Sequence, residues 1–183
     1  MELQEEEKRM AKVITIFFSM KGETIAPGMK IVKLDKGNTA WVAEYIHEAV
    51  GGALFELETV KTYIEDHMKM IYEAKEELER GIRPELKAFP EDFDQYDTVF
   101  LGFPNWWATL PMPVVTFLEG ESWQGKRVIP FVSSEGSGFA GSIRDLKKYC
   151  PGAVVEEDGL AVIGHEAEAS REAVTAWAKQ VLA

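Results

Sequence analysis

The chain has 183 residues, 46% of them hydrophobic. That supports the expectation of a single domain, residues 1–183, with a full-sized core, and excludes wholesale disorder. Acidic residues outnumber basic ones 31 to 20, for a net charge of −11. So acidic a chain repels phosphate backbones and anionic lipid, which argues against nucleic-acid and membrane partners and suits docking to basic proteins.

The lone cysteine, Cys150, permits no intramolecular disulfide and no cysteine metal cluster, and reads as a small buried residue. The N-terminus is acidic where a signal peptide would be basic and then apolar, and no run is long enough to span a bilayer. The expected compartment is the cytoplasm.

Residues 1–11 are charged and read as a flexible tail. Lys12 to Phe18 (KVITIFF) is β-branched and aromatic without polar alternation, which predicts a first strand buried on both faces. Ser19 ends it. A long irregular stretch, Met20 to Lys36, follows, in which Lys30 to Leu34 alternates as a short extra strand would. Gly37-Asn38-Thr39 opens a helix with Trp41, Val42, Tyr45, Ile46 and Ala49 on one face, stopped by Gly51 and Gly52. Ala53 to Leu57 is a second strand. Met68, Ile71, Tyr72, Lys75 and Leu78 predict an amphipathic helix closed by Gly81 and Pro84, with Glu73 to Glu79 as its solvated face.

Asp97 to Gly102 is the third strand, and Pro113 to Leu118 begins a helix. Arg127 to Val132 is the fourth strand, where Pro130 removes a donor and predicts a bulge or irregular pairing. A helix from Gly141 to Tyr149, a fifth strand from Gly159 to Ile163 and a last helix from Glu168 to Leu182 complete the chain. The alternation predicts an α/β fold, a parallel sheet with helices on both faces.

In such a sheet, ligands bind where loops leave the carboxyl ends of the strands. Three loops there have unusual chemistry. Ser19 with Gly37, Asn38 and Thr39 places small polar groups at a helix N-terminus, an anion site suited to one phosphate monoester; the same residues also serve as ordinary helix caps. Pro104, Asn105, Trp106 and Trp107 put two adjacent indoles at a strand end, to be buried in the core, on a partner or on a flat aromatic ligand. Ser133, Ser134, Gly136, Ser137 and Gly138 form a glycine-rich turn whose backbone can read the polar edge of a heterocycle, or is a plain flexible turn. A phosphate cup, an aromatic wall and a polar edge match the three parts of FMN. No catalytic residue and no metal ligand is assigned; the cofactor carries the chemistry. His47, His67 and His165 show no metal spacing and read as structural.

At these residues the chain resembles the flavodoxin family, in particular its branch with tandem-tryptophan loops. The resemblance runs from Val13 to Leu182 and rests on YDTVFLGFPNWWATLPMPVVTFLE (Tyr96 to Glu119), on GKRVIPFVSSEGSGFAGSIRDLKKYCPGA (Gly125 to Ala153), and on GNT before the first helix. It implies a five-stranded sheet in order 2-1-3-4-5, with FMN at the ends of strands one and three. One departure is the insertion of Met20 to Lys36 between Ser19 and the GNT triplet. The loop must fold outward and return for Ser19 and Thr39 to share a phosphate; otherwise Lys21 is the substitute charge. Glu135 near the flavin edge would lower its potential unless the side chain turns away.

Three functions stay open. The protein carries electrons between redox partner proteins; or it is an NAD(P)H-dependent FMN quinone reductase that binds a nicotinamide cofactor; or it is a flavin-free binding domain. It is expected as a monomer or a homodimer.

Overall fold

A computed structural model describes residues 12–183 of the protein. The expected N-terminal tail, residues 1–11, lies outside the described residues. The strands are β1 (Val13–Phe17), β2 (Gly22–Ala26), β3 (Lys30–Leu34), β4 (Ala53–Glu56), β5 (Thr98–Pro104), β6 (Arg127–Ser134), β7 (Val154–Val155) and β8 (Leu160–Ile163). The helices are α1 (Asn38–Val50), α2 (His67–Arg80), α3 (Met112–Gly120), α4 (Ser142–Tyr149) and α5 (Arg171–Leu182).

The main sheet runs β4-β1-β5-β6-β7, with β8 also on β6, and its pairings are parallel. With β7 and β8 sharing the fifth position, this is the expected order 2-1-3-4-5. Alternate residues of the central strands face opposite ways. Ile14, Ile16, Leu101 and Phe103 join one core with Val115 and Phe117 of α3 and Leu146 of α4. Val13, Phe17, Phe100 and Phe131 join another with Val42 and Ile46 of α1 and Val174 of α5. Each fully buried large side chain contributes about 1.5–3 kcal/mol, so the two layers lock the sheet.

Two local expectations need correction, and the irregular pairing expected at Pro130 is found on one side of its strand. Met20 to Lys36 is not irregular: β2 and β3 make an antiparallel hairpin, from Gly22 opposite Leu34 to Ala26 opposite Lys30. The face of α2 is rotated. Met68 and Tyr72 are exposed, and the buried positions are Met70, Ala74 and Glu77. Glu77 turns inward because the Tyr63 hydroxyl donates to its Oε2 at 2.8 Å and the Lys61 ammonium pairs with its other oxygen. Burial, together with that carboxylate, holds the Tyr63 phenol well above its ordinary pKa. Finally, Pro130 sits in a regular rung opposite Leu101. The irregularity is next door: β7 pairs with Arg127 and Val128 and β8 with Phe131 to Ser134. Pro130 thus has no ladder partner on that side, where its missing N–H is not needed.

Other expectations agree with the structure. Gly81 closes α2 in the left-handed conformation (φ 64°). Trp123 and Trp177, whose places at a strand lead-in and on a helix face suit core packing, are 2% exposed and packed edge-on against Phe100 at 5.8 Å, respectively. Cys150 is buried, which pushes its thiol pKa up to about 12.

Candidate functional site

The carboxyl ends of β1, β5 and β6 open onto one cavity of about 450 Å³, within the range of small-molecule sites. Of the residues singled out in the sequence, Asn38, Thr39, Pro104, Asn105, Trp106, Trp107, Ser133, Ser134 and Ser137 line it. Ser19, Gly37, Gly136 and Gly138 do not line it and instead shape the loops behind it.

The insertion does fold outward and return. The Ser19 hydroxyl accepts the Ala40 N–H at 3.1 Å, capping α1 from a residue distant in sequence. A Cβ on Gly37 would lie 2.1 Å from Ser19 Oγ and 2.5 Å from Met20 O, so only glycine lets the two loop ends meet. No side chain bonds to α1 from its own N-cap, and no acidic residue stands in its first turn. The terminus therefore keeps the positive end of its dipole toward the cavity wall formed by Asn38 and Thr39. Thr39 Oγ1 and Ser133 Oγ share a hydrogen bond of 2.7 Å, tying the α1 terminus to the end of β6. Lys21 is exposed and near enough to Glu56 to lower its pKa, against the larger upward effect of burial; it does not line the cavity.

The two tryptophans diverge. Trp106 packs edge-on against Phe18 and Tyr63, with ring centroids 5.4 Å away in both cases. Trp107 is 42% exposed, and its Nε1 donates to the Ile71 carbonyl at 2.7 Å. Trp106 and Thr109 exchange backbone hydrogen bonds of 3.2 Å around Trp107 and Ala108, whose φ angles are 54° and 64°. Two positive φ values in a two-residue turn are the type I′ pattern, which ordinarily calls for Asn-Gly. Trp-Ala there stores strain, held by Gly141 N–H donating to Ala108 O at 2.9 Å and by Thr109 Oγ1 bonded to Asp145.

The third loop is locked to the second. Asn105 Nδ2 donates to Ser137 Oγ (3.1 Å) and Gly138 O (2.8 Å), and the Ser134 hydroxyl accepts the Gly138 N–H at 2.9 Å. Glu135 lines the cavity, but its carboxylate accepts the His165 N–H at 2.9 Å and lies 2.6 Å from His165 Nδ1.

Sequence reading missed the other half of the wall. Glu23, Thr24, Ile25 and Leu34 come from the hairpin, and His67, Met70, Ile71 and Ala74 from α2. The alternation of β3 was the available signal for the hairpin, and the Met70–Ala74 spacing for the inward face of α2. Among the described residues lining the cavity, the charged or titratable ones are Glu23, Glu135 and His67; none is Lys or Arg. Among the described residues, no cluster of three metal-ligand side chains occurs and no helix is long and apolar enough to cross a membrane.

A flavodoxin-type sheet with a cavity at the ends of its first, third and fourth strands defines a class. The family profile for flavodoxin matches residues 32–181, and the chain belongs to that family, whose members bind FMN. Among solved structures, a Bacteroides eggerthii chain crystallised as a candidate flavoprotein is 29% identical, with a TM-score of 0.73, covering 94% of this chain and 99% of that one. A Lactobacillus acidophilus flavoprotein in complex with FMN is 20% identical (TM-score 0.62, 87% and 97% covered). Oxidised flavodoxin 2 from Bacillus cereus is also 20% identical (TM-score 0.52, 92% and 96% covered) and shares the fold. A search of curated proteins returned no match.

Proposed function

We propose that this protein binds FMN in the cavity and carries electrons between protein partners in the cytoplasm. The observation that carries the reading is the charge of the wall: one helix N-terminus, carboxylates at Glu23 and Glu135, and no Lys or Arg among the described lining residues. A helix terminus with nearby hydroxyls suits one phosphate monoester. The pyrophosphate of a nicotinamide dinucleotide would meet two carboxylates and no cation. The cavity is also of a size for one cofactor.

The residues fit the three parts of FMN. Asn38, Thr39, Ser133 and the α1 N–H groups would hold the phosphate, with Ser19 and Gly37 keeping that loop closed. Trp106 and Trp107 would wall the ring. Asn105, Ser134, Ser137 and the backbone around Gly136 and Gly138 would meet its polar edge. The flavin supplies the electron-accepting ring; the protein orients it and excludes water from the faces it covers. Glu135, on the cavity wall, is held in place by His165. Electrons would then come from proteins, attracted to a chain of net charge −11.

The test is an FMN titration followed by anaerobic addition of NADPH or NADH. The expected result is one FMN bound per chain, oxidised for minutes with either nicotinamide and bleached by a one-electron chemical reductant. Rapid bleaching by NADPH or NADH would replace the carrier by the reductase reading. No uptake of FMN would remove both.

A further inference from the structure

Among the described residues the β2–β3 hairpin pairs only with itself, in a sheet separate from the main one. Two antiparallel strands alone are marginally stable in water, so what holds this pair over the cavity is what it touches. Ile25 and Leu34 line the cavity, and two polar contacts tie the hairpin to the start of α2. Lys33 pairs with Glu65 at 3.4 Å, but the side chains are 65% and 75% exposed, so this contact adds little. The second contact differs in kind. Glu23 Oε2 accepts the His67 N–H at 3.0 Å, a charge-assisted bond to the first turn of a helix.

The terminus of α2 is thus capped twice, by its own N-cap Asp66 on Lys69 N–H and by Glu23 of the hairpin on His67 N–H. The stems of the hairpin differ as well. Gly22 has a φ of 99° and open space where a side chain would be, whereas Gly37 is jammed against Ser19 and Met20. The two stems therefore differ in how closely they are packed.

We propose that the hairpin is a hinged cover over the cavity and that the Glu23–His67 hydrogen bond is its latch, setting how fast the flavin enters and leaves. The proposal rests on the FMN reading above. When the cover swings out, water takes over the released His67 N–H and the Glu23 carboxylate. The bond therefore biases the closed state without making opening prohibitive. A latch has a kinetic signature that a ligand contact lacks. Weakening it raises the open population, so entry and exit accelerate together. Losing a direct contact accelerates exit alone.

Stopped-flow flavin fluorescence on the full chain reads both rates. Glu23→Ala should raise the association and dissociation rate constants by about tenfold each, leaving the equilibrium constant within about threefold. Glu23→Gln keeps an uncharged acceptor and should fall between, at about two- to threefold. Lys33→Ala should change neither rate by more than about twofold. Faster dissociation with unchanged association would make Glu23 a ligand contact and overturn the latch, as would two unchanged rates.

Amide exchange of the hairpin in the FMN-free chain gives an independent reading. Glu23→Ala should speed it by about tenfold while leaving β1 and β5 unchanged. A wild-type chain that takes up no FMN would overturn the flavin role, and the exchange data would still show whether the bond holds the cover. Unchanged exchange beside normal FMN binding would overturn the latch alone.

Discussion

β1 and β3 have the same length, five residues, and opposite circumstances. β1 is bonded on both sides, by β4 and β5, and all five of its residues are buried. β3 is bonded on one side, by β2, and none of its residues is fully buried. The strand that ends beneath the cavity thus belongs to the most cooperative part of the molecule, and the strand that helps cover it belongs to the least. A binding site made this way has a rigid floor, which fixes the positions of Ser19, Asn105 and Ser133, and a cover whose free energy of opening is its own.

The comparison breaks most clearly with truncations. Phe103 is 0% exposed in β5, and Phe103→Ala should cost about 3–5 kcal/mol in urea unfolding. Ile31 on the hairpin is 50% exposed, and Ile31→Ala should stay within about 0.5 kcal/mol. Equal losses would mean that the hairpin unfolds with the sheet. A pair of glycines sharpens the point. A Cβ on Gly102 would fall 2.0 Å from the Phe131 ring, so Gly102→Ala should cost about 1–3 kcal/mol of global stability. Gly28 has a φ of 79° but open surroundings, and Gly28→Ala should cost about 1 kcal/mol that appears in hairpin amide exchange and leaves the urea midpoint in place.

A smaller effect probes the strained turn of the floor. Ala108→Gly should gain about 0.5 kcal/mol, relief of the 64° φ exceeding the added freedom of the unfolded chain. The smallest concerns pH. The Arg83 hydrogen bond holds the Glu119 carboxyl below its ordinary 4.5. A depressed carboxyl contributes stability that is present above the unfolded value and is lost as pH falls through the folded one. The pair is largely solvated, so Glu119→Gln should lower the melting temperature by about 1 °C at pH 7, and the difference should shrink as pH falls below the ordinary 4.5 and through the lowered folded-state value.

The floor was legible in the sequence because its strands are buried on both faces, and an uninterrupted run such as Val99 to Leu101 has few other readings. The cover was legible only in its second strand, Lys30 to Leu34, whose alternation marked β3; a hairpin that covers only part of a cavity needs no apolar run, and Gly22 to Ala26 has none. Glu77 misled the reading of α2 for a related reason. A carboxylate is placed outward by any periodicity rule, and only Tyr63 and Lys61, distant in sequence, turn it in. The tandem tryptophans marked a loop that lines the cavity, but nothing in Trp-Ala announces a type I′ turn, which is imposed from outside by Gly141 and Asp145. Two of the three histidines read as structural border the cavity: His67 lines it and His165 holds Glu135.

The divided fifth strand bears on how the molecule behaves in a crowd. An open sheet ends in a row of free donors and acceptors on which another chain can crystallise as an extra strand. Here that border is made of a two-residue piece and a four-residue piece with a gap between them beside Pro130. No stranger of ordinary strand length finds an unbroken template along it. The interruption makes this border a poor seed for edge-to-edge aggregation.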